Sequence, residues 1–115
     1  KGDMINMKLV LLNTTIATTN GTFRITDLSL EKARELAQAN IGNFENGIGH
    51  KATADTLGKL LGIEINADRV AVVQEKGQLA IVLKLNGRVQ EGQILSQEEM
   101  EKMGYSLKLM EKLDD

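Results

Sequence analysis

The sequence predicts an α+β fold, a small mixed β-sheet with two or three flanking helices, and three observations carry that prediction. An almost continuous apolar run, "MKLVLLN", opens the foldable part of the chain, as a strand buried on both faces does. Two stretches, "SLEKARELAQA" and "SQEEMEKM", begin with a serine and continue at helical spacing, the pattern of capped helices. Strand-forming segments return between and after these helices without the regular alternation that marks a purely parallel α/β sheet.

The elements follow in order. Residues 7–13 are the first strand. Asn20-Gly21 signals a turn, and Thr22–Thr26 is rich in β-forming residues with alternating character. Ser29 caps a helix whose Leu30, Ala33, Leu36 and Ala37 fall on one face. Residues 40–49 are rich in glycine and asparagine and read as a loop, with a short strand around Phe44. A second helix covers about residues 51–61. Ala54, Leu57, Leu60 and Leu61 form its apolar face, and Gly62 stops it. "RVAVVQ" and "LAIVLKL", flanking "EKGQ", read as a β-hairpin. "NGRVQEG" is the loop after it. Ser96 with Glu99 makes a capping box for a third helix. "YSLKLMEKL" alternates enough for a last strand, with a helix as the alternative reading. The whole is one domain over residues 7–115. Lys1–Asn6 is set aside as an added or frayed leader, because Met7 fits a natural start. Several apolar strands in so short a chain raise the problem of uncovered sheet, which dimerisation commonly solves.

Composition narrows the function. The net charge is −2, which argues against binding long nucleic acids through many basic phosphate contacts. A small anionic ligand in a local basic pocket is compatible with it. Three aromatic residues, Phe23, Phe44 and Tyr105, are few for stacking single strands. The chain has no cysteine and one histidine, so thiol catalysis and zinc-thiolate sites are excluded and only scattered carboxylates remain as metal ligands. No apolar run approaches the roughly 18 residues that a membrane helix needs. No signal peptide is visible, which reads as a cytoplasmic protein.

That single histidine stands in "GIGHKATADTLGKLLG". His50 falls at the start of the second helix, where unpaired N–H groups and a partial positive charge favour an anion. Gly47 and Gly49 let a ligand approach the backbone. Lys51 adds a cation and Thr53 a hydroxyl in the first turn. An imidazole beside a phosphodiester can protonate a leaving oxygen. The plainer reading makes His50 a surface or capping residue and the two glycines shapers of a turn. Arg88, in "NGRVQEG", is either a solvated loop residue or a planar fork on a phosphate. Glu91 follows three residues on and could orient it. Arg69 is either a phosphate contact or one half of a surface ion pair. "GIG" lacks the rest of a dinucleotide fingerprint, and no Walker A motif or nucleophile elbow is present.

The order "LLN", "IGHKAT", "DRV", "GRVQEGQILSQEE" resembles the viral ring nuclease family, the type III anti-CRISPR proteins of archaeal viruses, phages and bacterial genomes. The resemblance runs from about Met7 to the last strand. It implies a small α+β homodimer that holds cyclic tetra-adenylate across its interface. It also implies metal-independent, cofactor-free cleavage of that ring to linear di-adenylate, which would switch off type III CRISPR signalling. On this resemblance His50 is the general acid, Arg88 binds the scissile phosphate, and Glu91 orients one of them. Asn13, Thr14, Gly49, Thr53 and Arg69 hold the ligand. Lys51 and Ala52 stand where the family often has an acidic residue and a serine. The competing function is a non-catalytic dimer that binds a nucleotide or DNA as a regulator.

Overall fold

A computed structural model describes residues 7–65 and 68–114; the leader assigned to Lys1–Asn6 lies outside the described residues. Eight elements run in the order β1 (Leu9–Leu12), β2 (Phe23–Asp27), α1 (Leu30–Gln38), β3 (Phe44–Asn46), α2 (Lys51–Leu61), β4 (Leu79–Leu85), α3 (Gln97–Met103) and β5 (Tyr105–Lys112). The strands form a five-stranded mixed sheet ordered β2-β5-β4-β1-β3. β1 pairs in parallel with both β3 and β4, and β5 is antiparallel to both β4 and β2. The α+β class is as the sequence predicts.

Local chemistry explains most element boundaries. Ser29 Oγ accepts the Lys32 N–H at 3.1 Å and starts α1. Ser96 and Glu99 exchange side chain-to-backbone bonds in a complete capping box that starts α3. Gly62, at φ 73°, ends α2 in the left-handed conformation that a side chain disfavours. The last element is a strand, not the alternative helix, because its residues pair along their length with both β2 and β4.

The core has two halves, one on each face of the sheet. Leu9, Leu11, Ile81, Leu83 and Leu107 point to the face covered by the helices, where they meet Ala33, Ala37, Leu57, Leu61 and Met100. Val10, Leu12, Ala80, Val82 and Met110 point to the other face. All four residues of β1 are buried, which is why its sequence does not alternate.

The sequence-predicted hairpin over residues 69–85 does not form. β4 takes β1 and β5 as partners, and residues 69–74 form no strand. The reversal itself is real: the Gln78 N–H donates to the Glu75 carbonyl at 2.9 Å, with Gly77 at φ 84°. The ladder is missing because β4 is apolar on both faces and occupies a central position. Its neighbours are already strands, so the segment before it folds across the second face, with Val72 packed on that half of the core. Among the described residues no helix is long and apolar enough to cross a membrane.

A candidate anion-binding cleft at the carboxyl edge of the sheet

β1, β3 and β4 run the same way, so their carboxyl ends lie along one edge. Ligands of sheets with parallel strands usually bind beyond that edge. Here the chain leaving β3 makes a tight connection into α2. Asn46 Oδ1 accepts the Ile48 N–H at 2.9 Å, an Asx turn, and the Gly47 N–H donates to the Leu11 carbonyl at 2.8 Å. A Cβ on Gly47 would lie 2.7 Å from Leu12 Cδ2 and 3.0 Å from Val72 Cγ2. Packing therefore demands this glycine, and the structural reading of it holds.

His50 is the N-cap residue of α2 but makes no side-chain capping bond. Its ring turns instead toward the β4–α3 loop, where Nε2 lies 2.8 Å from the Val89 carbonyl oxygen. A carbonyl only accepts, so Nε2 carries the hydrogen and donates it. Val89 is buried in the core. The Leu95 N–H donates to Thr56 Oγ1 of α2 at 3.2 Å. The loop is thus anchored at both points, while Arg88, just before the first, and Glu91, between the two, stay exposed. Gln90 and Gln93 exchange bonds across its tip, Gly92 supplying the positive φ of 80°.

Two neighbouring cavities result. The larger, of about 750 Å³, gathers Asn13 from the end of β1, His50 and Thr53 from the start of α2, and Arg88, Gln90 and Glu91 from the loop. The smaller, of about 410 Å³, is lined by Thr14, Ile16, Thr18, Gly49 and Arg69. Asn13 and His50 border both. A Cβ on Gly49 would lie 3.2 Å from Arg69 Nη1, so the arginine side chain runs across that glycine. Neither Arg69 nor Arg88 forms an ion pair with a described residue. Their positive charges are available to an anion, beside the unpaired N–H groups of the α2 start.

Eight of the nine sequence-predicted residues therefore meet in this double cavity: His50, Arg88, Glu91, Asn13, Thr14, Gly49, Thr53 and Arg69. Lys51 does not. It lines neither cavity, and its Nζ pairs with Asp55 at 2.7 Å on the exposed side of α2. The reason is helical geometry: residues 51 and 55 share a face, one turn apart, and that face is not the one His50 borders. Sequence reasoning missed Gln90, although it stands two residues after Arg88 in the same motif. It also missed the Val89 carbonyl, which carries no side-chain signal. Among the described residues no group of three or more His, Asp or Glu side chains could hold a metal ion.

Among the described residues, three carboxylates titrate below their ordinary range, and all lie away from the two cavities. The Ser96 backbone N–H holds Glu99 down, Lys108 holds Asp27 down, and the Thr22 N–H holds Asp114 down.

Fold and cleft together define a small α+β protein with two unpaired arginines and a lone imidazole at a helix start, an arrangement suited to a multiply charged anion. The chain belongs to the STIV B116-like family, whose characteristic sequence matches residues 9–107. It is 33% identical over 108 residues to the uncharacterized protein YddF of Bacillus subtilis (strain 168), covering 94% of this chain and all of that one. It is 36% identical over 103 residues to the uncharacterized protein ORF117 of Acidianus two-tailed virus, covering 86% and 88% of the two chains. Among solved structures, B116 of Sulfolobus turreted icosahedral virus superposes with a TM-score of 0.72 at 27% identity, over 90% of this chain and 97% of that one.

Proposed function

We propose that this protein is a ring nuclease: a metal-independent phosphodiesterase that opens cyclic tetra-adenylate and so silences type III CRISPR signalling. The observation that carries the reading is the convergence of His50, Arg88 and Glu91 on one cleft at the start of α2. The motif resemblance supplies the substrate, and the viral relatives fit the biological setting.

The chemistry needs little from the protein. The ribose 2′-hydroxyl attacks the adjacent phosphorus in line, its proton passing to water, and the P–O5′ bond breaks. Arg88 neutralises the charge that gathers on the phosphoryl oxygens. His50, as imidazolium, gives its proton to the departing 5′ oxygen. In the free chain Nε2–H points at the Val89 carbonyl; a leaving oxygen that takes the place of that carbonyl receives the proton. Each cut leaves a 2′,3′-cyclic phosphate and a 5′-hydroxyl, and two cuts yield two linear di-adenylates. Glu91 steadies Arg88 or the imidazole. Arg69, Asn13 and the first turn of α2 hold the rest of the ring.

A ring with two-fold symmetry calls for two identical subunits. Ile16, Val70 and Val73 are 64%, 42% and 62% exposed and flank or follow the smaller cavity. This apolar rim is the surface that we assign to the second subunit. The test is incubation of the purified protein with cyclic tetra-adenylate in EDTA, with product separation and sedimentation. A dimer that produces di-adenylate is expected. His50→Ala should slow cleavage about 10²–10⁴-fold, or ~3–5 kcal/mol of barrier, with ring binding retained. Cleavage by His50→Ala at the wild-type rate refutes the mechanism. A wild-type protein that retains the ring uncleaved is a binding module instead.

A further inference from the structure

The smaller cavity has walls without regular secondary structure. One is residues 13–18, leaving β1; the other is residues 69–72, which the sequence reads as a strand and the structure does not. Irregular segments on a surface are mobile unless something ties them down. Here one side chain ties the two walls to each other. Gln74 is 2% exposed, and its hydrogen-bonding groups are taken up across both segments. Its backbone N–H donates to Thr18 Oγ1 at 3.0 Å, and the Thr18 hydroxyl donates back to Gln74 Oε1 at 3.2 Å. Gln74 Nε2 donates to the carbonyls of Gln78 at 3.1 Å and Met110 at 3.3 Å. The amide therefore bolts one wall to the other, and both to β5.

We infer that Thr18 and Gln74 are positioning residues for the ligand: their reciprocal bond sets the width of the smaller cavity. This inference rests on the proposed ring-binding function. The Val70 N–H, next to Arg69, anchors that segment's other end to the Asn46 carbonyl at 2.8 Å, so the clamp acts on the residues between Val70 and Gln74. Between the two anchors the backbone has no ladder to hold it. Neither Thr18 nor Gln74 borders the larger cavity with Arg88 and Glu91. Loosening the clamp therefore affects holding of the ring and leaves proton transfer alone.

The experiment compares Thr18→Val, Thr18→Ser and Ile81→Val. Valine at position 18 matches threonine in shape and removes both bonds. Ile81→Val is the structural control: Ile81 is fully buried on the helix-covered face of the sheet and lines neither cavity. For Thr18→Val, the dissociation constant and KM for cyclic tetra-adenylate should rise about five- to tenfold, with kcat at saturation within about twofold. Thr18→Ser should restore both. Ile81→Val should lower Tm with binding unchanged. Wild-type affinity in Thr18→Val, or equal weakening in Ile81→Val, overturns the inference. If the wild-type protein binds no ring, the proposed function fails, and amide exchange judges the clamp by itself. Faster exchange in residues 13–18 and 69–72 of Thr18→Val than of Ile81→Val upholds it as the device holding these walls. Equal exchange removes it.

Discussion

Thr56→Val tests whether α2 holds the β4–α3 loop. Thr56 is fully buried, and its Oγ1 is the acceptor for the Leu95 N–H at 3.2 Å. Valine keeps the shape and removes that acceptor. A buried donor left without a partner costs about 1–3 kcal/mol, and the length of this bond puts the cost in the lower half of that range. A chain of 115 residues loses roughly 4 °C of Tm per kcal/mol, from an unfolding entropy of ~2.1 cal/mol/K per residue. Thr56→Val should therefore melt about 4–8 °C below wild type. Thr56→Ser also destabilises, through a lost methyl worth about 1 kcal/mol, but it keeps the acceptor. The decisive comparison is amide exchange across residues 86–95, which should speed up in the valine variant and not in the serine one. Cleavage should fall with it, because Arg88 and Glu91 ride on that loop. A valine variant that melts within about 1 °C of wild type, with its loop equally protected, would refute the anchoring argument.

The two glycines before His50 should behave differently. Gly47→Ala places a Cβ 2.7 Å from Leu12 Cδ2 and 3.3 Å from the Leu11 carbonyl oxygen, so denaturant melts should show a loss of about 1–3 kcal/mol. Gly49→Ala meets only the Arg69 side chain, at 3.2 and 3.3 Å. That exposed side chain can swing aside, so stability should hold while ring affinity, measured by calorimetry, falls. Acid should weaken the fold through Glu99. Its folded value is lowered by the Ser96 N–H, so its contribution is complete above the ordinary glutamate value and fades as pH falls below about 4. Melting curves from pH 7 to pH 2 should show wild type losing its advantage over Glu99→Gln; a constant gap would deny the capping box its charge.

How far the site was legible depended on where each signal resided. His50, Gly49 and Thr53 are neighbours in sequence, and the helix start that unites them is written locally. Arg88 and Glu91 are likewise one motif. Lys51 looked equivalent from its neighbours and was not, since one step along a helix turns a side chain by about 100°. The hairpin failed for a related reason. "RVAVVQ" has strand chemistry, but pairing is decided by which partners remain unpaired, and β4 had two better ones. Gln74 reads as an ordinary polar residue at a strand end; only the chain folding back over the second sheet face buries it and makes its amide a clamp.

The sequence by itself determined the class of the fold, the three helices with their serine caps and glycine stop, and the apolar strands, because these follow from bonds and packing preferences spanning a few residues. Tertiary structure alone decided the strand order, the conversion of a strand-like segment into a cavity wall, and the meeting of His50 with the Val89 carbonyl across thirty-nine positions of chain. Those outcomes depend on competition among distant partners for the same buried space and the same hydrogen bonds, and no local pattern encodes the winner.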